Sequence, residues 1–265
     1  KNLELLGIIV RRNEKVCEIV SQNLDSFVAM YTNDTLLREQ LTKFFINYLT
    51  DIDVSTASMA KSVAIAYKRN QVPVLFDLCT LSILCNPKSK RCFDEFFASA
   101  IIPIGNSIPP ALRFAVSLCF EYDEASDYFI DESRAAVTKL IPLFADENTR
   151  KDIRFLIALL ITTVLLYKSE SNEAKFLSNI ACFVFGEEKI EAVISEGKSE
   201  SNIKWNDFEK SIVEIILKEK PVRRAEISLL SNDGIKDKVN EIQSENDKLK
   251  SIVETLEAKK EEATK

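Results

Sequence analysis

The chain contains no histidine, so its cysteines and carboxylates are the first side chains to consider for metal binding or acid–base chemistry. Histidine is the commonest general base and the commonest metal ligand in proteins. The cysteines form no Cys-x-x-Cys pair, and the step of seven residues from Cys85 to Cys92 fits no common zinc spacing. We therefore expect no metal and no cofactor. Apolar neighbours favour reduced core thiols in a reducing compartment for all six: Cys17, Cys79, Cys85, Cys92, Cys119 and Cys182.

The carboxylates show no catalytic arrangement either. The pairs Glu187-Glu188 and Glu261-Glu262 lie in charged helical patterns, which favours solvated surface. The segment Asp51-Ile52-Asp53 begins like a calcium loop, but the glycine and glutamate that such a loop needs later are missing. The sequence also has no glycine-rich phosphate loop and no nucleophile elbow. We therefore predict that the chain is not an enzyme.

Net charge and hydropathy argue against two further kinds of partner. The net charge is −6 and no block of lysine or arginine occurs, so the basic surface that nucleic acid requires is not expected. The apolar run from Ile153 to Tyr167 is shorter than the ~20 residues of a bilayer span, and it contains Arg154. This run predicts a fully buried helix, and we expect the protein in the cytoplasm.

Helical periodicity dominates the chain, so helices must position whatever site it has. Glycine is scarce, at five residues, which favours helices over sheets with their many turns. Apolar residues recur every three or four positions between Leu36 and Leu49, and Asn33 or Asp34 can cap that helix. Prolines 109 and 110 suit the first turn of a helix over 111–120, whereas residues 103–110 are predicted to form a loop. The predicted fold class is all-α.

A helical unit recurs along residues 1–225. In each unit an apolar helix ends in a hydrophobic pair, and a short polar stretch leads to a second helix with aromatic residues. The pairs Leu84-Cys85, Leu118-Cys119 and Leu166-Tyr167 follow one another after 34 and 48 residues. Such spacings are typical of armadillo or HEAT-like repeats, whose helix pairs must stack to bury their apolar faces. We predict an α-solenoid over 1–225, and an irregular helical domain is the alternative.

The pattern changes after Gly186. Residues 187–195 are predicted to form a charged helix, and residues 197–202 a polar linker. Residues 205–218 then predict a last amphipathic helix. A second linker is predicted over 226–234, because it ends in the helix-breaking run Ser-Asn-Asp-Gly. The apolar face of the last helix comprises Phe208, Ile212, Ile215 and Ile216.

Residues 235–265 follow a heptad pattern, which predicts a parallel two-stranded coiled coil and hence a homodimer. Asn246 occupies a central a position, where two asparagines can bond to each other in a parallel, in-register pair. Other registers would bury unpaired amides at a cost of ~1–3 kcal/mol each. A single solvated amphipathic helix is the alternative. The predicted dimerisation residues occupy the a and d positions: Ile235, Val239, Ile242, Asn246, Leu249, Val253 and Leu256.

The order of these segments resembles a known family. An apolar helix over 155–167 precedes a polar break, a helix that begins at Glu173, the segment Phe185 to Ile190, a Phe208-centred helix and a coiled coil. This order is similar to the C-terminal part of the globular head of the general vesicular transport factors, the Uso-type tethers of ER-to-Golgi traffic. The stretch that precedes the last helix in that family is longer and contains proline, and here it is reduced to residues 198–204.

The resemblance implies a non-catalytic, dimeric tether between a vesicle and its target membrane. It implies a Rab-class GTPase, golgins or SNAREs as partners, and a peripheral position on Golgi or transport-vesicle membranes through those partners. Two heads on one coiled coil raise the effective concentration at a second site, so that weak contacts suffice. Two other functions stay open. One is a formin-like cytoskeletal regulator with an armadillo-type GTPase-binding region, and the other is another armadillo or HEAT adaptor, such as a chaperone cofactor.

Overall fold

The computed structural model is all-helical, as the sequence predicts. It describes residues 2–11, 13–49, 53–130, 136–168, 172–185, 187–199 and 207–221. Within these residues it contains fourteen α-helices, one 3₁₀ segment and no strand, so the predicted all-α fold class is confirmed. All of the described residues belong to one structural unit, Lys1–Ala225. The armadillo or HEAT-like order of the helices stays a prediction.

The helices are numbered in chain order. In the part of the chain that the structure describes, no helix combines the length and the hydropathy of a membrane span. The 3₁₀ segment, Pro87–Phe93, lies between the sixth and seventh helices. The α-helices are α1 (Asn2–Val10), α2 (Glu14–Gln22), α3 (Leu24–Asn33), α4 (Arg38–Leu49), α5 (Asp53–Asn70), α6 (Leu75–Cys85), α7 (Asp94–Gly105), α8 (Pro109–Cys119), α9 (Asp123–Ile130), α10 (Ala136–Ala145), α11 (Lys151–Lys168), α12 (Asn172–Phe185), α13 (Glu187–Ser199) and α14 (Asp207–Glu219).

Proline and capping signals in the sequence lie at or before the starts of two of these helices. α8 begins at Pro109, with Pro110 in the same first turn, where the N–H group that proline lacks has no helical partner. The Asp34 carboxylate accepts the backbone N–H groups of Leu36 and Leu37 at 2.9 and 3.2 Å, just ahead of α4. α8 therefore starts where the proline signal predicts, whereas α4 begins at Arg38, four residues after Asp34.

The predicted loop over 103–110 is wrong in its first part, because α7 continues to Gly105. Pro103 and Ile104 are buried in this last turn, and their burial offsets the hydrogen bond that proline cannot donate. The turn closes at Ser107, whose φ of 55° lies in the left-handed region. There the Ile108 N–H bonds to the Pro103 carbonyl at 3.1 Å, which satisfies a carbonyl at the helix end.

α11 lies in the middle of the core. Every residue from Phe155 to Leu165 is buried, and the helix packs against α8, α9, α10, α12, α13 and α14. The prediction of a fully buried helix is confirmed for these residues. The hydroxyl groups of Thr162 and Thr163 donate to carbonyls one turn back, at 2.7 Å, so they are buried without losing hydrogen bonds. A helix that is apolar on all sides is stable only when neighbours surround it.

A cluster of aromatic rings joins four helices that precede α11. The ring of Phe114 on α8 has its centroid 5.8 Å from that of Phe76 on α6 and 5.7 Å from that of Phe96 on α7. Tyr67 on α5 packs edge-on against both Phe76 and Phe96. Ring pairs at these separations contribute to stability beyond their buried area. The helices α5 to α8 therefore share one aromatic core.

Gly197 shows that the predicted linker over 197–202 is wrong at its start. The residue lies inside α13 and is buried, although the sequence around it is polar. Its Cα faces the ring of Phe155 on α11, and a Cβ built at this position would overlap that ring. The absence of a side chain therefore permits the close approach of α13 to α11.

Replacing Gly197 with alanine is expected to destabilise the protein. In an exposed helix the same change would stabilise by up to ~1 kcal/mol, because alanine favours the helix. Against Phe155 the added methyl must displace a ring in a close-packed core, which costs ~1–3 kcal/mol. Urea unfolding followed by circular dichroism measures the effect, with Ser195→Ala on the exposed side of α13 as the control. An unchanged or raised free energy of unfolding for Gly197→Ala would contradict this packing.

Candidate functional site

Four charged residues on four different helices form a set that we call the charged track. Its members are Arg38 of α4, Asp77 of α6, Arg113 of α8 and Glu209 of α14. The charges alternate in sign along the track, and neighbouring members interact. The pKa of Asp77 responds to both Arg113 and Arg38, and Arg113 pairs with Glu209. The track therefore links helices that are far apart in the sequence.

Arg113, which is partly exposed, forms an ion pair with the buried Glu209. The Nη1 atom of Arg113 lies 3.1 Å from Oε1 and 3.2 Å from Oε2 of Glu209, and Glu209 is 1% exposed. Removing one partner of such a pair leaves an uncompensated charge inside the protein, at a cost of ~3–5 kcal/mol. The pair therefore fixes α14, the last described helix, against α8.

A second group of contacts fixes α14 against the same region. Phe208 packs edge-on against Phe120 with the ring centroids 5.3 Å apart. Lys90 of the 3₁₀ segment donates to the Phe120 carbonyl, and its ammonium lies 5.7 Å from the centroid of the Phe120 ring. Burial lowers the pKa of the Lys90 amine. Since Ile212 and Ile216 are also buried, the predicted apolar face of the last helix is confirmed at these positions.

Arg38 is held by the C-terminal end of α3. Its Nε atom donates to the Tyr31 carbonyl at 2.9 Å, and its Nη2 atom donates to the Thr32 carbonyl at 3.0 Å. The guanidinium carbon also lies 6.0 Å from the centroid of the Tyr31 ring. Carbonyl groups at a helix C-terminus carry partial negative charge, so they offset part of the arginine charge. Among the described residues, Arg38 thus has no acidic partner in contact with it.

Asp77 differs from the other members of the track, because its partly buried carboxylate forms no hydrogen bond or ion pair with a described residue. Burial raises the pKa of this carboxyl from its ordinary 3.8 to about 6, and the positive charges of Arg113 and Arg38 act in the opposite direction. Asp77 in turn helps to raise the pKa of the Tyr31 hydroxyl, for which burial is the larger cause. Because the residue is partly exposed, water can reach the carboxylate, and its raised pKa with two arginines nearby marks Asp77 as a candidate functional residue.

An apolar strip on α6 continues from Asp77. Leu81 and Leu84 follow it at helical spacing, and all three residues are partly exposed. Apart from Cys85, the remaining residues of α6 are buried. A surface of this kind, with apolar side chains and a single carboxylate, is suited to contact with another polypeptide.

On α1 and on α12, large exposed apolar side chains share one face of the helix. On α1, Leu5 is 58% and Ile8 is 66% exposed, and on α12, Phe176 is 50% and Phe183 is 91% exposed. Each pair lies on one face of its helix. Apolar residues exposed in this way are typical of surfaces that bind other proteins.

The other described residues offer little that could do chemistry. A cavity of about 70 Å³ between α3 and α5, which includes Ser62 and Arg69 in its lining, has room for water molecules and is far smaller than most ligand pockets. No group of cysteines, aspartates and glutamates among the described residues could hold a metal ion. Four of the six cysteines are buried and two are partly buried. Burial raises the pKa of the Cys119 thiol to about 12, which keeps it protonated and unreactive.

The dimerisation residues that the sequence predicts are not members of the charged track. All of the predicted dimerisation positions fall in the coiled coil, 235–265, which lies outside the described residues, as does the linker 226–234. The track itself was not predicted, because its members carry no shared motif or spacing. A single charged residue on an otherwise apolar helix, such as Asp77 on α6, was the one available signal. The predicted dimerisation positions, which lie outside the described residues, are Ile235, Val239, Ile242, Asn246, Leu249, Val253 and Leu256.

The structure is therefore that of an all-α protein in which the charged track connects four helices. Comparison with known proteins adds no relative: no protein-family model, no curated protein and no solved structure matches the chain. The function is therefore argued from the residues themselves.

Replacing Asp77 with asparagine is expected to stabilise the protein by ~1–3 kcal/mol at neutral pH. The raised pKa means that the folded protein binds a proton at this carboxyl more tightly than the unfolded chain does. The contribution of Asp77 to stability therefore grows as the pH falls through 6 towards 3.8, and it is lost as the pH rises through 6. The asparagine variant lacks this dependence, so its advantage should shrink as the pH falls over that range.

Urea unfolding at a series of pH values measures the difference between Asp77→Asn and the wild-type protein. Glu18→Gln, which removes an exposed carboxylate on α2, is the control and should change stability little at any pH. A loss of stability in Asp77→Asn at neutral pH would show that the carboxylate has a stabilising partner, contrary to this description of the site.

Proposed function

We propose that this chain is a non-catalytic scaffold, which dimerises through its C-terminal coiled coil and binds other proteins on its helical surface. The observation that carries the proposal is the ion pair of Arg113 with the buried Glu209, which fixes α14. In the sequence, α14 ends shortly before the predicted linker, 226–234, which the predicted coiled coil, 235–265, follows. A dimerising segment that follows a fixed helix can hold two copies of a binding surface on one support.

The more specific proposal is vesicle tethering in ER-to-Golgi transport. It is supported by the order of segments that resembles the general vesicular transport factors and by the exposed apolar side chains on α1 and α12. We propose a Rab-class GTPase, golgins or SNAREs as partners. The protein would be cytoplasmic and would reach Golgi or transport-vesicle membranes through those partners alone.

Capture of GTPases tests this function against the formin-like alternative. The immobilised protein is exposed to early-secretory Rab proteins and to Rho proteins, each loaded with either GDP or a non-hydrolysable GTP analogue. A tether should retain a Rab protein in the GTP form and release it in the GDP form. Retention of a Rho protein instead would favour the cytoskeletal regulator, and retention of neither class would contradict the Rab-binding proposal.

The full chain is expected to be a dimer in solution and to become a monomer when it is truncated after Gly234. Multi-angle light scattering measures the mass of each. Within the full chain, Leu249→Glu places a charge at a d position of the predicted interface and should also give a monomer. Ser251→Glu is the matched control, because it lies at an outward-facing f position and should stay dimeric. A dimer that survives the truncation would contradict the coiled-coil assignment.

A further inference from the structure

We propose that the groove between α3 and α5 binds an extended segment of a partner protein and accepts one aspartate or glutamate side chain of that segment. One face of each helix lines the groove, which holds the cavity of about 70 Å³. Such a site rests on the proposed function of a protein-binding scaffold and specifies the chemistry of one partner.

Ser62 presents an unused hydroxyl group to this groove. The residue lines the cavity and is 7% exposed, and its hydroxyl forms no hydrogen bond with a described residue. A hydroxyl in a helix can donate to the carbonyl one turn back, as Thr32 on the opposite helix does to Val28 at 2.8 Å. Protein atoms do not enclose the Ser62 hydroxyl completely. The hydroxyl is therefore available to donate to a group that enters the groove.

Arg69 brings positive charge to the same cavity. It lies about two turns after Ser62 on the same face of α5, and side chains on a helix lean towards its N-terminus, which is the direction of Ser62. Among the described residues, Arg69 has no ion-pair partner. A guanidinium group can donate two parallel hydrogen bonds to one carboxylate. Arg69 and Ser62 together therefore offer a carboxylate both charge and hydrogen-bond donors.

The charges around the groove favour an acidic segment over a basic one. Asp25 is the acidic residue that lines the groove, and it forms no ion pair with Arg69. Arg38 adds a second positive charge beside the groove, because its Nη2 atom donates to the carbonyl of Thr32, a lining residue, at 3.0 Å. Asp77 acts on Arg38 at longer range and forms no ion pair with it. Two guanidinium groups thus outnumber the single lining carboxylate.

The size of the cavity determines how the partner enters. A cavity of ~150 Å³ holds benzene, so about 70 Å³ suits a group of roughly half that size, such as a carboxylate with its methylene. Ala29 and Ala66 lie at the middle of the two lining faces, and their small side chains leave this space open. An extended chain is narrower than a helix, which is ~10–12 Å wide, and it directs alternate side chains to one side. It can therefore lie along the groove and place one side chain in the cavity.

Selection of peptides tests the site. A phage library of random dodecapeptides is selected on the immobilised full chain, and the enriched peptides are counted again on Arg69→Gln. We expect wild-type protein to enrich peptides with an aspartate or glutamate, and Arg69→Gln to lose them. Replacing that acidic residue with its amide in a synthetic peptide should weaken binding to wild type about tenfold, as expected when a charged hydrogen bond is lost.

Titration of these peptides against single variants separates the contacts. Arg69→Gln should weaken binding about tenfold, and Ser62→Ala about threefold, because a hydrogen bond from a neutral donor contributes less. Asp25→Asn removes a like charge from the groove and should strengthen binding about twofold. Lys68→Gln is the matched control, because it removes the same charge from the neighbouring exposed residue, which does not line the groove, and it should bind like wild type.

Charge reversal distinguishes recognition at Arg69 from a general preference for acidic peptides. Arg69→Glu should reject the selected peptide and bind a form in which lysine replaces the acidic residue. Enrichment of basic peptides by wild-type protein, absence of acidic peptides from the selection, or equal binding to Arg69→Gln and Lys68→Gln would each overturn the proposal. The GTPase and light-scattering experiments do not involve this groove, so the scaffold function can hold when the groove binds no acidic segment, and the reverse.

Discussion

α11 can exist only when other helices surround it, since its residues from Phe155 to Leu165 have no exposed face. Six helices pack against it, and each must come close enough to exclude water from one side. α13 does so because Gly197 leaves room for the ring of Phe155. Burial of apolar surface supplies most of the stability of a folded chain. The surrounding helices must therefore lie where they cover the apolar surface of α11. The same packing determines which surfaces of these helices remain exposed.

Apolar packing does not select one orientation of a helix. Charged contacts fix the orientation of α14, the last described helix. The Arg113–Glu209 pair fixes α14 relative to α8, because a shifted helix would separate the buried Glu209 carboxylate from its cationic partner. Lys90 acts in a similar way, since its donation to the Phe120 carbonyl orders the residue on which Phe208 packs. Such polar contacts add little net stability compared with an apolar substitute, but they distinguish one arrangement from its neighbours.

The members of the charged track differ in whether their charges have contact partners. Arg113 and Glu209 satisfy each other, and Arg38 satisfies the end of α3. Asp77 has no such contact with a described residue, and burial raises the pKa of its carboxyl. A scaffold needs surfaces that gain from a partner what the isolated chain lacks. The exposed apolar faces of α1 and α12 have this property.

The sequence by itself determined the features that depend on residues three or four positions apart. These are the all-α class, the start of α8 at Pro109, the burial of α11 and the apolar face of α14. Tertiary structure alone decided that Pro103 lies in a helix, that Gly197 is buried, and that the members of the charged track lie near one another. The reason is physical: periodicity tells which face of a helix is buried, whereas the neighbour that covers it comes from distant sequence. A polar residue such as Asp77 therefore acquires its role only from the helices that fold around it.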